Sequence, residues 1–144
     1  MKSGAVLLVE DNPDDADLVA YAFGKAGIAI PLASVGDGEA AIAYVDGAHP
    51  YADRMLHPLP ALFLLDLKLP RRSGFDVLTH IRNRPQTRHT PVVVLTSSNQ
   101  NQDIRRAYEL RANSYLVKPI KPEDLLEMVN ALMHYWLDLN MNAS

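Results

Sequence analysis

The chain has 144 residues, 48% of them hydrophobic, and a net charge of −3, which suits one globular domain with a sizeable core and excludes a disordered segment. Fourteen basic residues against 17 acids, with Arg71-Arg72 and Arg105-Arg106 standing apart as isolated pairs, leave no clustered cationic stripe of the kind that neutralises nucleic-acid phosphates. There is no cysteine, so disulfides and thiolate metal sites are excluded, and no apolar stretch approaches the roughly 20 residues of a membrane span.

The first apolar run, AVLLV at 5–9, reads as a strand buried on both faces. Met1-Lys2-Ser3-Gly4 leads straight into it with no room for a signal peptide, which predicts a soluble cytoplasmic protein. The run ends in Glu10-Asp11, and Asn12-Pro13-Asp14-Asp15 opens a helix, because proline and acids are favoured in a first turn. Leu18, Val19, Ala22, Phe23 and Ala26 then recur at helical spacing until Gly27 supplies a stop. Residues 28–34 form a weaker strand, confined to a sheet edge by Pro31. Asp37-Gly38-Glu39 starts a short helix that runs to about Val45.

Residues 46–59 form a connection longer than the roughly 12 residues beyond which loops are uncommon and often functional. The spacing and neighbours of its His49 and His57 suit solvated loop positions better than metal ligands. The central strand, 61–65, ends in Asp66, and a helix follows over 74–83 with Phe75, Leu78 and Ile81 facing inward. A valine-rich strand at 91–95 leads to Thr96, a helix spans 101–110, and a fifth strand at 114–117 runs into Lys118. The last helix extends from 122 to about 139, and residues 141–144 fray.

Strands alternating with helices predict an α/β fold with a parallel sheet. Such sheets bind ligands beyond the carboxyl ends of their strands, where the chain order reverses. Glu10, Asp11, Asp66, Thr96 and Lys118 would all gather at that edge. Acids held together repel one another, and a hard divalent cation with oxygen ligands removes the repulsion. Taken singly, each acid could equally be a solvated strand-end carboxylate, Lys118 a surface lysine, and Thr96 an ordinary β-branched strand residue.

Four segments carry a resemblance. LLVEDNPDD at 7–15, LLDLKLPRRSG at 64–74, VVVLTSS at 92–98 and SYLVKP at 114–119 have the order and spacing of the receiver domains of bacterial two-component response regulators. The chain resembles that family from about Ala5 to its last helix. The resemblance implies a flavodoxin-like, doubly wound sheet of five parallel strands in the order 2-1-3-4-5. It also implies a single receiver domain over 1–144, with a core at about 5–139. Asp66 would be the phosphoacceptor, receiving a phosphoryl group from a phosphohistidine of a partner histidine kinase. Asp11, Asp66 and the backbone carbonyl of Lys68 would hold Mg²⁺, with Glu10 acting directly or through water.

Lys118 would meet a phosphoryl oxygen, Thr96 and Tyr115 would form the switch, and the Lys118-Pro119 bond would be cis. Lys68 and Ser98 fall at positions that tune phosphoryl lifetime in the family, and the small Ser97 leaves Asp66 accessible. Nothing resembling a DNA-binding or output module follows, so a stand-alone receiver acting through protein contacts is expected. It would be an assistant to its own phosphorylation and dephosphorylation rather than an enzyme. The 46–59 connection, ELRANSYLVKP at 109–119 and the long last helix are similar to the small receivers that pair with phytochrome-type histidine kinases.

Leu125, Leu126, Met128, Val129, Leu132, Met133, Trp136 and Leu137 spread over about half of the last helix, wider than the stripe of about 100° that one contact needs. The excess would serve either the chain's own core or a homodimer through the fourth helix, fifth strand and last helix, where Tyr135 and Trp136 are interface-type residues. Two other functions fit part of the pattern. A Mg²⁺-dependent phosphohydrolase would need a general acid near Asp66 and a cap, and has Lys68 two residues on instead. A phosphorylation-independent scaffold would leave the acids, Thr96 and Lys118 without purpose.

Overall fold

The computed structural model describes residues 4–143; the expectations for Met1 to Ser3 and for Ser144 fall outside them. Five strands, β1 (Ala5–Val9), β2 (Leu32–Val35), β3 (Pro60–Leu65), β4 (Val92–Thr96) and β5 (Ser114–Val117), form one parallel sheet in the order β2-β1-β3-β4-β5. The expected edge strand at 28–34 starts later, because Pro31 has no N–H to give the ladder. Its carbonyl instead accepts from the Val6 N–H at 2.9 Å, just ahead of β2.

Alternation along each central strand sends neighbours to opposite faces. Val6, Leu8, Leu62, Leu64, Val93 and Leu95 pack under α1 (Pro13–Lys25) and α5 (Pro122–Met133). Leu7, Val9, Phe63, Leu65, Val92 and Val94 pack under α2 (Gly38–Asp46), α3 (Gly74–Arg82) and α4 (Asn101–Glu109). Both faces are covered, which is why β1, β3 and β4 read as continuous apolar runs.

The helices begin where the sequence marks them. Asn12 Oδ1 accepts from the Asp14 and Asp15 N–H groups at 2.9 and 3.2 Å, with Pro13 in the first turn. Asp37 caps α2, and Ser73 with Asp76 forms a capping box on α3. The last helix differs from expectation: its α-helical part stops at Met133, and His134–Leu139 continues as a π-helix with wider turns. Leu126, Met128, Trp136 and Leu137 lie half-buried against the α1/α5 core. Most of the apolar excess is thus used within the chain, leaving Tyr135 and Leu139 exposed.

The 46–59 connection is built rather than loose. Gly47 closes α2 at φ 66°, and the Arg54 guanidinium donates to the Tyr44, Val45 and His57 carbonyls at 2.8, 2.8 and 3.2 Å. The Tyr44 and Val45 carbonyls belong to the end of α2, where carbonyls lack intrahelical partners, and His57 lies further along the connection. His57 is not a solvated loop residue, since its ring meets Tyr44 and Tyr51 edge-on, at 5.9 and 5.2 Å. His49 is exposed. Among the described residues the cis peptide is His49-Pro50, so the Lys118-Pro119 bond is not cis as expected. Lys118 takes its orientation from its carboxylate partners instead.

Candidate functional site

The parallel ladder delivers the side chains to one edge. Val9 pairs with Leu65 and Val35, Leu65 with Val94, and Thr96 with Val117, so the residues that follow β1 and β3 lie side by side and Thr96, at the end of β4, stands between them and the residue that follows β5. The ladder reaches into the site itself: Glu10, Asp66 and Lys118 donate their backbone N–H groups to Val35, Val9 and Thr96 at 3.0, 3.0 and 2.8 Å. Glu10 and Asp66 are 5 and 6% exposed, low values for acids, which rarely bury without partners, and Thr96 beside them is 0% exposed.

Asp66 is fully engaged. Its Oδ1 accepts from the Leu67 N–H at 2.7 Å, the Lys68 N–H at 3.3 Å and the Thr96 hydroxyl at 2.7 Å. Its Oδ2 accepts from Lys118 Nζ at 3.1 Å. Gly74 opens α3 directly against this residue, and a Cβ there would collide with the Asp66 carbonyl oxygen. Only glycine lets the two backbones approach that closely.

Lys118 is the hub. Its ammonium lies 2.6 Å from Glu10 Oε1, 3.0 Å from Asp15 Oδ2 and 3.1 Å from Asp66 Oδ2. Burial opposes its charge, yet hydrogen bonds to Glu10 and Asp15 more than offset this and raise its pKa. Burial pushes the Glu10 carboxyl up to about 7 against the pull of Lys118 and the Asn12 N–H, with the Asp66 charge adding to the rise.

Glu10, Asp11 and Asp66 each offer a carboxylate oxygen, all within 4.8 Å of one another. Three hard oxygen donors, one of them exposed and two buried, fit a cation of the Mg²⁺ type. They line an open cleft of about 310 Å³ together with Asn12, Asp15, Lys68, Thr96, Ser97 and Lys118. The expected site residues therefore converge. Tyr115 lies on the neighbouring strand, half-buried against the α2–α4 side of the core, and its hydroxyl donates to the Ser98 carbonyl at 2.9 Å.

Two acids were not singled out by sequence as site residues. Asp15, read there only as a helix-start acid, reaches Lys118. Asp103, in the first turn of α4, accepts from Ser98 Oγ at 2.6 Å and lies 3.7 Å from Lys68 Nζ. Both lie on helices, and the local sequence holds no sign of the strand-end residue each one meets.

A family model described as the response regulator receiver domain matches residues 6–130. The probable methanogenesis regulatory protein FilR2 of Methanothrix harundinacea is 42% identical over 94% of this chain and 84% of its own length. Response regulator Rcp1 of Synechocystis is 38% identical over 92% of this chain and 88% of its own. A crystal structure of the Mn²⁺-bound form of response regulator Rcp1 superposes with a TM-score of 0.90 at 36% identity, covering 99% of this chain and 100% of that one. The phosphorylated cyanobacterial phytochrome response regulator RcpA superposes with a TM-score of 0.92 at 33% identity, again over 99% and 100%.

Proposed function

The chain belongs to the response regulator receiver family, and from that premise we propose that it is a signalling switch operated by phosphorylation of Asp66. One observation carries the reading: a buried carboxylate at the end of the central strand has a lysine ammonium at 3.1 Å, a threonine hydroxyl at 2.7 Å and two further acids within 4.8 Å. That set can align a donor and offset the charge that moves, which is most of what phosphoryl transfer asks of a protein.

In the transfer, an Asp66 carboxylate oxygen attacks the phosphorus of a phosphohistidine. The P–O bond of an acyl phosphate forms as the P–N bond breaks, and the imidazole leaves with the electron pair. Glu10, Asp11, Asp66 and the Lys68 carbonyl would hold Mg²⁺, which supplies charge neutralisation for the carboxylates and the phosphoryl oxygens. Lys118 then hydrogen-bonds a phosphoryl oxygen as a point charge, and Thr96 offers its hydroxyl to another. The added charge, about −1.5 to −2 for a phosphorylated group, acts at a distance by favouring one arrangement of Thr96, residues 97–100, α4 and Tyr115.

A phytochrome-type histidine kinase is the partner this reading favours, supported by the similarity to RcpA across the whole described chain. A homodimer through α4, β5 and the last helix is supported by Tyr108, Val117 and Tyr135, which are 48, 38 and 50% exposed. A cytoplasmic location fits these partners, and among the described residues no helix is long and apolar enough to cross a membrane.

The test is phosphorylation by acetyl phosphate with Mg²⁺. The native chain gains the mass of one phosphoryl group, and Asp66→Asn, with its fold intact, gains none. A phosphoryl group found on Asp66→Asn overturns the assignment.

A further inference from the structure

Three carboxylates surround the Lys118 ammonium, Glu10, Asp15 and Asp66, and Nζ donates to the last two. Two of those partners are drawn away by the chemistry proposed above. Glu10 belongs to the cation-binding set, and Asp66 is the group that reacts, so Lys118 must pass from its carboxylate oxygen to a phosphoryl oxygen. Asp15 belongs to neither, since the three oxygens within 4.8 Å of one another come from Glu10, Asp11 and Asp66. A lysine on a flexible four-carbon stem has about 2 kcal/mol of rotamer entropy to lose, and without a fixed partner its ammonium leaves for water.

We propose that Asp15 is a positioning residue for Lys118, holding its ammonium beside Asp66 while the other two carboxylates change partners. The inference rests on the phosphoacceptor reading. The geometry suits the role. Asp15 sits in the first turn of α1, where its own N–H donates to the Asn12 cap at 3.2 Å, so the backbone that carries the carboxylate is fixed. Its side chain is 27% exposed against 8% for Lys118, so the carboxylate closes the lip of the cleft over a buried ammonium. The Asp15–Lys118 contact also links α1 to the residue just after β5, across 103 residues of sequence.

The decisive variant is Asp15→Ala. It keeps the cap, because Asp15 takes part through its backbone N–H. With acetyl phosphate, the rate at saturating Mg²⁺ should fall at least about tenfold, less than the roughly 100-fold cost of a fully misplaced or missing group because Lys118 itself remains, while the Mg²⁺ midpoint, read separately by calorimetry, stays in place. In a Lys118→Ala background the same change should have no further effect. Independently of activity, the ¹⁵Nζ resonance of Lys118 in the Mg²⁺-loaded protein should be resolved in the native chain and lost to solvent exchange in Asp15→Ala.

An unchanged or faster rate overturns the proposal. So does a shifted Mg²⁺ midpoint, an undiminished effect without Lys118, or a persistent Nζ resonance. If the native chain takes up no phosphoryl group, the phosphoacceptor reading fails and this inference fails with it. If uptake on Asp66 is intact and Asp15→Ala matches native, only this inference fails.

Discussion

Glu10 holds its proton to about pH 7 although a lysine ammonium lies 2.6 Å away. Burial costs the carboxylate more than its partners return. The folded chain therefore keeps a proton between the ordinary value of 4.5 and about 7 that the unfolded chain has released. Stability due to this group is present below pH 4.5 and falls as pH rises towards 7. Urea titration of the metal-free protein should show native stability falling relative to Glu10→Gln between pH 5 and 7.5, by on the order of 2 kcal/mol. Mg²⁺ should restore it at pH 7.5 and do little at pH 5. Parallel profiles for the two proteins would contradict the account. Sequence placed Glu10 at the site but could not reveal this shift, because it comes from burial among residues far along the chain.

Among the elements, α3 shows how a fold is tied at the end of the sheet remote from the site. Arg82, in its last turn, is 8% exposed. Its guanidinium donates to the carbonyls of Arg111 at 2.9 and 3.0 Å, Thr90 at 2.7 Å and Arg88 at 3.2 Å, and to Asn113 Oδ1 at 2.8 Å. No carboxylate is among these partners, and burial lowers its pKa to about 10, so it stays charged at neutral pH. Arg82→Met fills the volume but strands those acceptors, and should cost about 2–4 kcal/mol in urea unfolding; a loss within 0.5 kcal/mol, the range of ordinary surface changes, would refute the staple. Elements with a strong period or start signal were legible in sequence, as Pro13 and Asp37 show, whereas the Ser73–Asp76 capping box emerged only in the structure. The π-helical segment after Met133 was not legible either, because the apolar positions of 122–139 run on at α-helical spacing and the change shows only in the backbone of His134–Leu139.

For the whole molecule, coverage of the sheet on both faces sets the energetics. Leu64 and Leu65 are neighbours pointing to opposite helix layers, both 0% exposed. Replacing either with alanine should destabilise by a similar 2–5 kcal/mol, roughly the range for buried leucines; a one-sided sheet would make only one of them costly. The proposed dimer is a second question at this scale. Sedimentation should show the chain moving towards a dimer on phosphorylation, and Tyr108→Glu, placed on the exposed side of α4, should keep it monomeric. Identical sedimentation in every case would leave no role for that face.

Sequence by itself determined the order of elements, the parallel sheet and which residues gather at its carboxyl edge, because apolar runs, caps and strand-end charges are local patterns. Tertiary structure decided which charges meet. Asp15 and Lys118 lie 103 residues apart, Asp103 on α4 meets Lys68 at 3.7 Å, and Lys118 is oriented by carboxylates without a cis peptide at Pro119. Distances between side chains on different elements follow from strand order and register, and no local pattern encodes them.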